Sequence, residues 1–150
     1  MADGVERGGE RVGAGSVSAA RTGTRTYLGR NDRGDEVRIG PADAPGHFTP
    51  GELLKLALAG CSGMSADRAL SRRLGDDVEV TVWAHGTSDP DTESYRAIDE
   101  ELVVDRSPLD DQAAERLVAV VARAIASSCT IARTVDGCVT LTTTVDGVAR

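Results

Sequence analysis

Aromatic side chains are nearly missing from this chain: one Trp, two Tyr and one Phe stand among 150 residues. With them scarce, the core has to be assembled from Leu, Val, Ile and Ala. Long apolar runs are missing too. No stretch reaches the roughly 20 residues that a membrane-spanning helix needs, so no membrane partner is expected. Met1 to Ser16 lacks the apolar middle of a signal peptide. That segment is rich in Gly and charge and is expected to be a disordered extension ahead of one domain over residues 17–150. A cytoplasmic protein is the expectation from these absences. There is no Cys-x-x-Cys, and His47 and His85 have no partner at ligand spacing, so neither a metal nor another cofactor is expected. Three cysteines do not make the disulfide framework of a secreted protein. Lysine occurs once, at Lys55. We read that as codon bias.

The charge that is present is mostly negative. The net charge is −7. It is uneven: Asp76 to Asp111 carries twelve acids against two arginines, whereas residues 1–40 carry seven arginines against six acids. An acidic surface repels phosphate backbones, which argues against a nucleic-acid partner and fits simple solubility. A chain of this length suits one domain burying roughly two-thirds of its unfolded surface.

Pattern predicts the elements. Val17 to Leu28, a turn at Asn31 to Gly34, and Asp35 to Ile39 read as a hairpin, followed by a loop over Pro41 to Gly46. Thr49-Pro50-Gly51-Glu52 carries an N-cap, a proline at the first helical position and a glutamate three after the cap. The helix it opens has apolar or small residues on nearly every side and is expected to be buried all round, becoming polar at Arg72 and Arg73 and ending at Gly75. Val78 to His85 alternates as a strand. Ser88 to Asp91 is a turn. In the next strand Ile98, Leu102 and Val104 share a face that Glu100 interrupts. A second helix is expected from Ser107-Pro108 through Ala126, with Leu117, Val121, Ala124, Ile125 and Ser128 as its inner stripe. Val139 to Val145 closes the chain as a strand. The order β-β-α-β-β-α-β predicts an α+β fold with an antiparallel or mixed sheet around two central helices.

The chemistry-bearing residues are cysteines. Cys61 lies in the first helix, and Leu54, Ala57, Leu58, Met64 and Ser65 share its face at spacings of three, four and seven, an apolar wall beside a thiol. Cys129 follows the second helix in Ser127-Ser128-Cys129-Thr130-Ile131-Ala132-Arg133. Gly60, Ser62 and Gly63 around one and Ser127 and Ser128 around the other permit close approach. On residue type alone, either cysteine reads first as a small buried hydrophobe. Cys138, beside Gly137, reads as structural or incidental.

The run Pro50-Gly51-Glu52-Leu53-Leu54 through Ala57-Leu58-Ala59-Gly60-Cys61-Ser62-Gly63-Met64, with Cys129-Thr130-Ile131-Ala132-Arg133 after the next helix, resembles the OsmC/Ohr family of osmotically induced and organic-hydroperoxide-resistance proteins. The resemblance spans about residues 17–146. It implies an intertwined homodimer that reduces organic hydroperoxides with two thiols and needs no cofactor. By it, Cys61 attacks the peroxide, Cys129 resolves the sulfenic acid as a disulfide, and an external dithiol reduces the pair. Leu54, Leu58 and Met64 would receive the organic part of the substrate. The family's activating arginine falls at Arg25 when counted back from Gly34, with Arg21 and Arg30 as neighbours. Glu52 would complete the site. The chain departs from the hydroperoxide-resistance branch at Gly51, where that branch carries a glutamate. Glu52 has a second use as half of a capping box. This departure leaves open a different class of function on the same scaffold, a small-molecule-binding or redox-sensing protein with little turnover.

Overall fold

The computed structural model describes residues 12–149, so residues 1–11 of the expected extension lie outside the described range. The chain divides into two compact units, Met1–Leu53 and Leu54–Arg150.

The first unit holds a three-stranded antiparallel sheet in the order β1-β2-β3, formed by β1 (Val17–Gly23), β2 (Thr26–Asn31) and β3 (Glu36–Ile39). Here the structure corrects the expected hairpin. The run Val17 to Leu28 is not one strand: Thr24 and Arg25 form a two-residue turn, Gly23 pairs with Thr26, and Arg25 adopts a φ of 56°. Alternation carried across that turn concealed it, because a two-residue loop restores the same inward and outward phase. The second turn falls where it was expected. The Asn31 side-chain carbonyl accepts from the Arg33 and Asp35 backbone N–H groups at 3.0 and 2.9 Å, and Gly34 takes a φ of 90°. That is the left-handed conformation glycine adopts without steric cost.

Helix α1 (Pro50–Leu74) begins in the first unit and continues through the second. Its start is the predicted capping box. The Glu52 carboxylate accepts from the Thr49 N–H at 2.8 Å, and the Thr49 hydroxyl accepts from the Glu52 N–H at 3.2 Å. Two backbone donors that the helix itself cannot satisfy are thereby paired. Gly75, at φ 95°, ends the helix.

The second unit is a four-stranded mixed sheet in the order β4-β5-β6-β7 with helices packed on it. Its strands are β4 (Val80–His85), β5 (Ala97–Val104), β6 (Thr140–Val145) and β7 (Val148–Ala149). β5 pairs antiparallel with β4 but parallel with β6. A parallel pair needs a long crossover, here supplied by α2 (Asp111–Ser128) and a short α3 (Thr130–Val135). The order is therefore β-β-β-α-β-β-α-α-β-β: β2, α3 and β7 are additions to the expected order, and the α+β class is as read from the sequence. α2 starts three residues later than Pro108 because Asp110 is the cap, its carboxylate accepting from Ala113 N–H at 2.8 Å. Leu117, Val118, Val121 and Ile125 form its inner face, while Ser128, expected inside, is exposed.

One core fills this unit. Leu58, Ala66 and Leu70 of α1, Ile98, Leu102 and Val104 of β5, the inner face of α2, Cys129 and Val145 are all buried together. Each large aliphatic side chain so buried contributes about 1.5–3 kcal/mol. The expectation that α1 is buried all round is overturned. Leu58, Ala59, Ser62, Ala66 and Leu70 face inward at spacings of three and four, but Leu56 is 53% and Met64 82% exposed. One sheet and one neighbouring helix cover only one side of a cylinder, so part of the apolar stripe stays exposed among the described residues. Among the described residues, no helix is long and apolar enough to cross a membrane.

Candidate functional site

The site is built where α1 meets the junction of α2 and α3. Cys129 is buried and occupies the break between the two helices. Its backbone N–H closes α2 on Ile125 O at 2.9 Å, and its sulfur opens α3 by accepting from Ala132 N–H at 3.4 Å. A cysteine thus stands where Ser, Thr or Asp is the usual cap. Cys61 is partly exposed, and both cysteines are free thiols.

The surroundings drive the two thiols apart. The Cys61 thiol is held below its ordinary range by the Ile131 backbone N–H above all, then by the Cys129 thiol and the Thr130 N–H; burial and the Glu100 charge pull the other way. Backbone N–H groups at a helix start favour the thiolate. Burial pushes the Cys129 thiol up, and a Cys61 thiolate pushes it further, against the Ala132 N–H and the Ser62 hydroxyl. Of the two thiols, Cys61 is thus the more readily ionised.

Two residues that pattern reasoning did not assign to the site lie in it. Ser62 is 1% exposed and its hydroxyl donates to the Cys129 sulfur at 3.7 Å. Glu100 is 1% exposed on the inner face of β5. Burial raises its carboxyl above the usual range, while the Ser62 and Thr143 hydroxyls pull it down. Thr143 donates to Oε2 at 3.5 Å, and Oε1 has no partner among the described residues. The signal was present in the sequence as a glutamate at an inward position of an alternating strand. Ser62 carried none beyond its size.

The other expected site residues fall elsewhere. Leu58 belongs to the core, Leu54 is 38% exposed, and Met64 is 82% exposed. Arg25 and Glu52 belong to the first unit, Arg25 in an exposed turn and Glu52 with its carboxylate engaged in the capping box. Arg30 is paired with Glu36 at 2.6 Å, whereas Arg21 and Arg25 have no ion-pair partner among the described residues. Cys138 is exposed. Among the described residues there is no cluster of His, Cys, Asp and Glu that could hold a metal ion.

A buried and a partly exposed thiol on an α+β scaffold of this order define a two-thiol site. The family described as OsmC-like protein matches residues 41–144, and the chain belongs to that family. It is 50% identical over 111 residues to an uncharacterized protein of Mycobacterium tuberculosis (strain ATCC 25618 / H37Rv), covering 74% of this chain and 81% of the relative. Among solved structures it is similar in fold to an OsmC-like protein from Mycoplasma pneumoniae, at a TM-score of 0.64 and 14% identity, over 87% of this chain and 95% of that one. The organic hydroperoxide resistance protein OhrB of Bacillus subtilis aligns at a TM-score of 0.59 and 18% identity, over 87% and 96% of the two chains.

Proposed function

We propose that the protein is a thiol peroxidase that reduces organic hydroperoxides to alcohols. The observation that carries this is the opposite displacement of two adjoining thiols, one accessible and lowered, one buried and raised. The Cys61 thiolate attacks the terminal peroxide oxygen, the O–O bond breaks, and the alkoxide leaves as alcohol after taking a proton. Cys61 is left as a sulfenic acid. The Cys129 sulfur then attacks it, expelling water and forming the disulfide, and an external dithiol returns both to thiols. The family resemblance and the hydroperoxide-resistance protein of similar fold support this substrate class. In this reading the functional form is a homodimer in the cytoplasm. The exposed Leu54 and Met64 then serve the substrate's organic part or the second copy, and Arg25 and Glu52 keep the roles the family assigns them.

The test is consumption of cumene hydroperoxide with dithiothreitol as reductant. Wild type consumes peroxide through many cycles, Cys61→Ser consumes none, and Cys129→Ser is crippled, turning over only as fast as dithiothreitol reduces the Cys61 sulfenic acid directly. Turnover by Cys61→Ser at the wild-type rate contradicts the proposal. One observation favours a second reading, a binding or redox-sensing protein. Gly51 offers no carboxylate, and Glu52 spends its own on the helix cap. Stoichiometric oxidation of Cys61 without turnover selects that reading.

A further inference from the structure

Cys129 is 0% exposed and buried in one cluster with Leu58, Leu117, Val121 and Ile125, a setting that disfavours charge. Yet a thiol that closes and reopens a disulfide carries negative charge twice, once as it attacks and once as it leaves. Two donors reach its sulfur. The Ala132 N–H comes from the first turn of α3 at 3.4 Å, and the Ser62 hydroxyl comes from α1 at 3.7 Å. The backbone donor follows from the helix cap. The hydroxyl needs another reason. Ser62 is 1% exposed in a row with Leu58, Ala59, Ala66 and Leu70, where a small aliphatic residue would bring no polar group to satisfy. Ser65, three residues on, shows the common habit of a helical serine: its hydroxyl donates back to its own helix, to the Cys61 carbonyl at 2.8 Å. Ser62 instead turns its single proton out of α1 and onto the Cys129 sulfur. Among the described residues no cation acts on that sulfur. The inner face of α2 is aliphatic, and Arg133 on α3 is exposed and donates to the Ser127 carbonyl at 3.4 Å. The titratable groups that bear on the pair from other elements are Cys61 itself on α1 and Glu100 on β5, which takes its hydrogen bond from Thr143.

We propose that Ser62 is a catalytic hydrogen-bond donor that, with the Ala132 N–H, cradles the negative charge on the Cys129 sulfur as the disulfide closes and as it opens. The inference rests on the two-thiol site of the proposed function and adds a third side chain to it. On closing, Cys129 gives up its thiol proton and its sulfur attacks the Cys61 sulfenic acid. The S–S bond forms, the Cys61 S–O bond breaks, and the departing hydroxide and the thiol proton make one water. Cys129 is oxidised and Cys61 reduced. On opening, a dithiol thiolate attacks the accessible Cys61 sulfur, the S–S bond breaks, and Cys129 leaves with the electron pair and takes a proton from solvent. The second dithiol sulfur then displaces Cys61, and the dithiol ends as its own disulfide. Ser62 keeps its proton throughout. It contributes a hydrogen bond that strengthens when the sulfur is charged, because bonds to ionised acceptors are stronger than bonds to neutral ones, and so it favours both charged stages over the neutral thiol.

The experiment prepares the full-length protein as its Cys61–Cys129 disulfide with diamide and follows reduction by dithiothreitol at neutral pH by alkylation and mass spectrometry. Ser62→Ala is expected to open about 10-fold more slowly, the loss of one hydrogen bond to a charged group. A second readout separates this from a loosened core: with Cys61→Ser and Cys138→Ser as background, ultraviolet thiolate absorbance titrates Cys129 alone, and adding Ser62→Ala is expected to move that titration to higher pH. Ser62→Thr and Ser62→Val have the same shape and differ in the hydroxyl, so they control for strain; the threonine variant is expected to open faster than the valine variant by a similar factor. Wild-type opening in Ser62→Ala, slow opening with an unmoved Cys129 titration, or threonine and valine variants that behave alike would overturn the inference. Neither readout uses peroxide, so a failed peroxidase assay sinks the peroxidase reading alone.

Discussion

Cys61 and Cys129 are the same side chain in two settings, and the difference is in what each can reach. Cys61 sits on a helix flank with access to solvent and to the free N–H groups of Thr130 and Ile131. Cys129 is spent locally: it closes one helix, caps the next, and is sealed in the core. The contrast teaches that backbone donors, a neighbouring thiol and unequal burial can push the acidities of two thiols in opposite directions. In the second unit, no cationic side chain enters the balance that lowers Cys61. What the setting supplies is direction, with the Cys61 thiol shifted down and the Cys129 thiol shifted up.

The most drastic way to break this contrast is to remove one sulfur. Cys61→Ser should lower peroxide kcat/KM by at least about 10³-fold, as loss of a nucleophile does, while Cys129→Ser should leave the first oxidation of Cys61 within about threefold, because a transition-state interaction is retained there. Stopped-flow and multiple-turnover assays separate the two. A second contrast lies along the two faces of α1. Leu58→Ala should cost about 2–5 kcal/mol in urea unfolding, as truncation of a buried leucine does. Met64→Ala should stay within about 0.5 kcal/mol in the monomer, as exposed substitutions do; a larger effect that depends on protein concentration would reveal a partner on that face. At the start of the same helix, Thr49→Ala should cost about 0.5–2 kcal/mol by the same measure, the worth of an N-cap.

The smallest effect is also the most diagnostic of Glu100. Its carboxyl is raised in the folded protein, so its contribution to stability is full below the unfolded pKa and is lost as pH rises through the folded one. Glu100→Gln should therefore melt higher than wild type near neutral pH. That advantage should fade as pH falls below the unfolded carboxyl range. Melting curves at three pH values check it; a gap independent of pH would mean that the carboxyl does not titrate differently on folding.

Local chemistry was legible in the sequence, and long-range partnership was not. The α1 cap is encoded by four consecutive residues, and the structure pairs Thr49 with Glu52 as they imply. Cys61 and Cys129 stood out by their flanking small residues and family register. Ser62 and Glu100 did not, because nothing in either segment says that α1 and β5 meet, and β5 pairs in parallel with a strand some forty residues later in the chain. Glu100 looked like a flaw in an alternating pattern. It is inward-facing, and only the packed sheet shows what it faces. The outer face of α1 misled for the converse reason: apolar residues all round a helix imply cover, and among the described residues Leu56 and Met64 stay exposed. α3 was missed because six residues are too few to display a helical period.

The central claim is that Cys61 reacts first and Cys129 second, and one time course tests it directly. One equivalent of cumene hydroperoxide is mixed with the reduced protein, quenched at intervals with dimedone and an alkylating agent, and read by peptide mass spectrometry. The account predicts a dimedone adduct at Cys61 that precedes a Cys61–Cys129 disulfide, and in Cys129→Ser the adduct accumulates. First oxidation at Cys129 or at the exposed Cys138, or a Cys61 that stays reduced throughout, would contradict it.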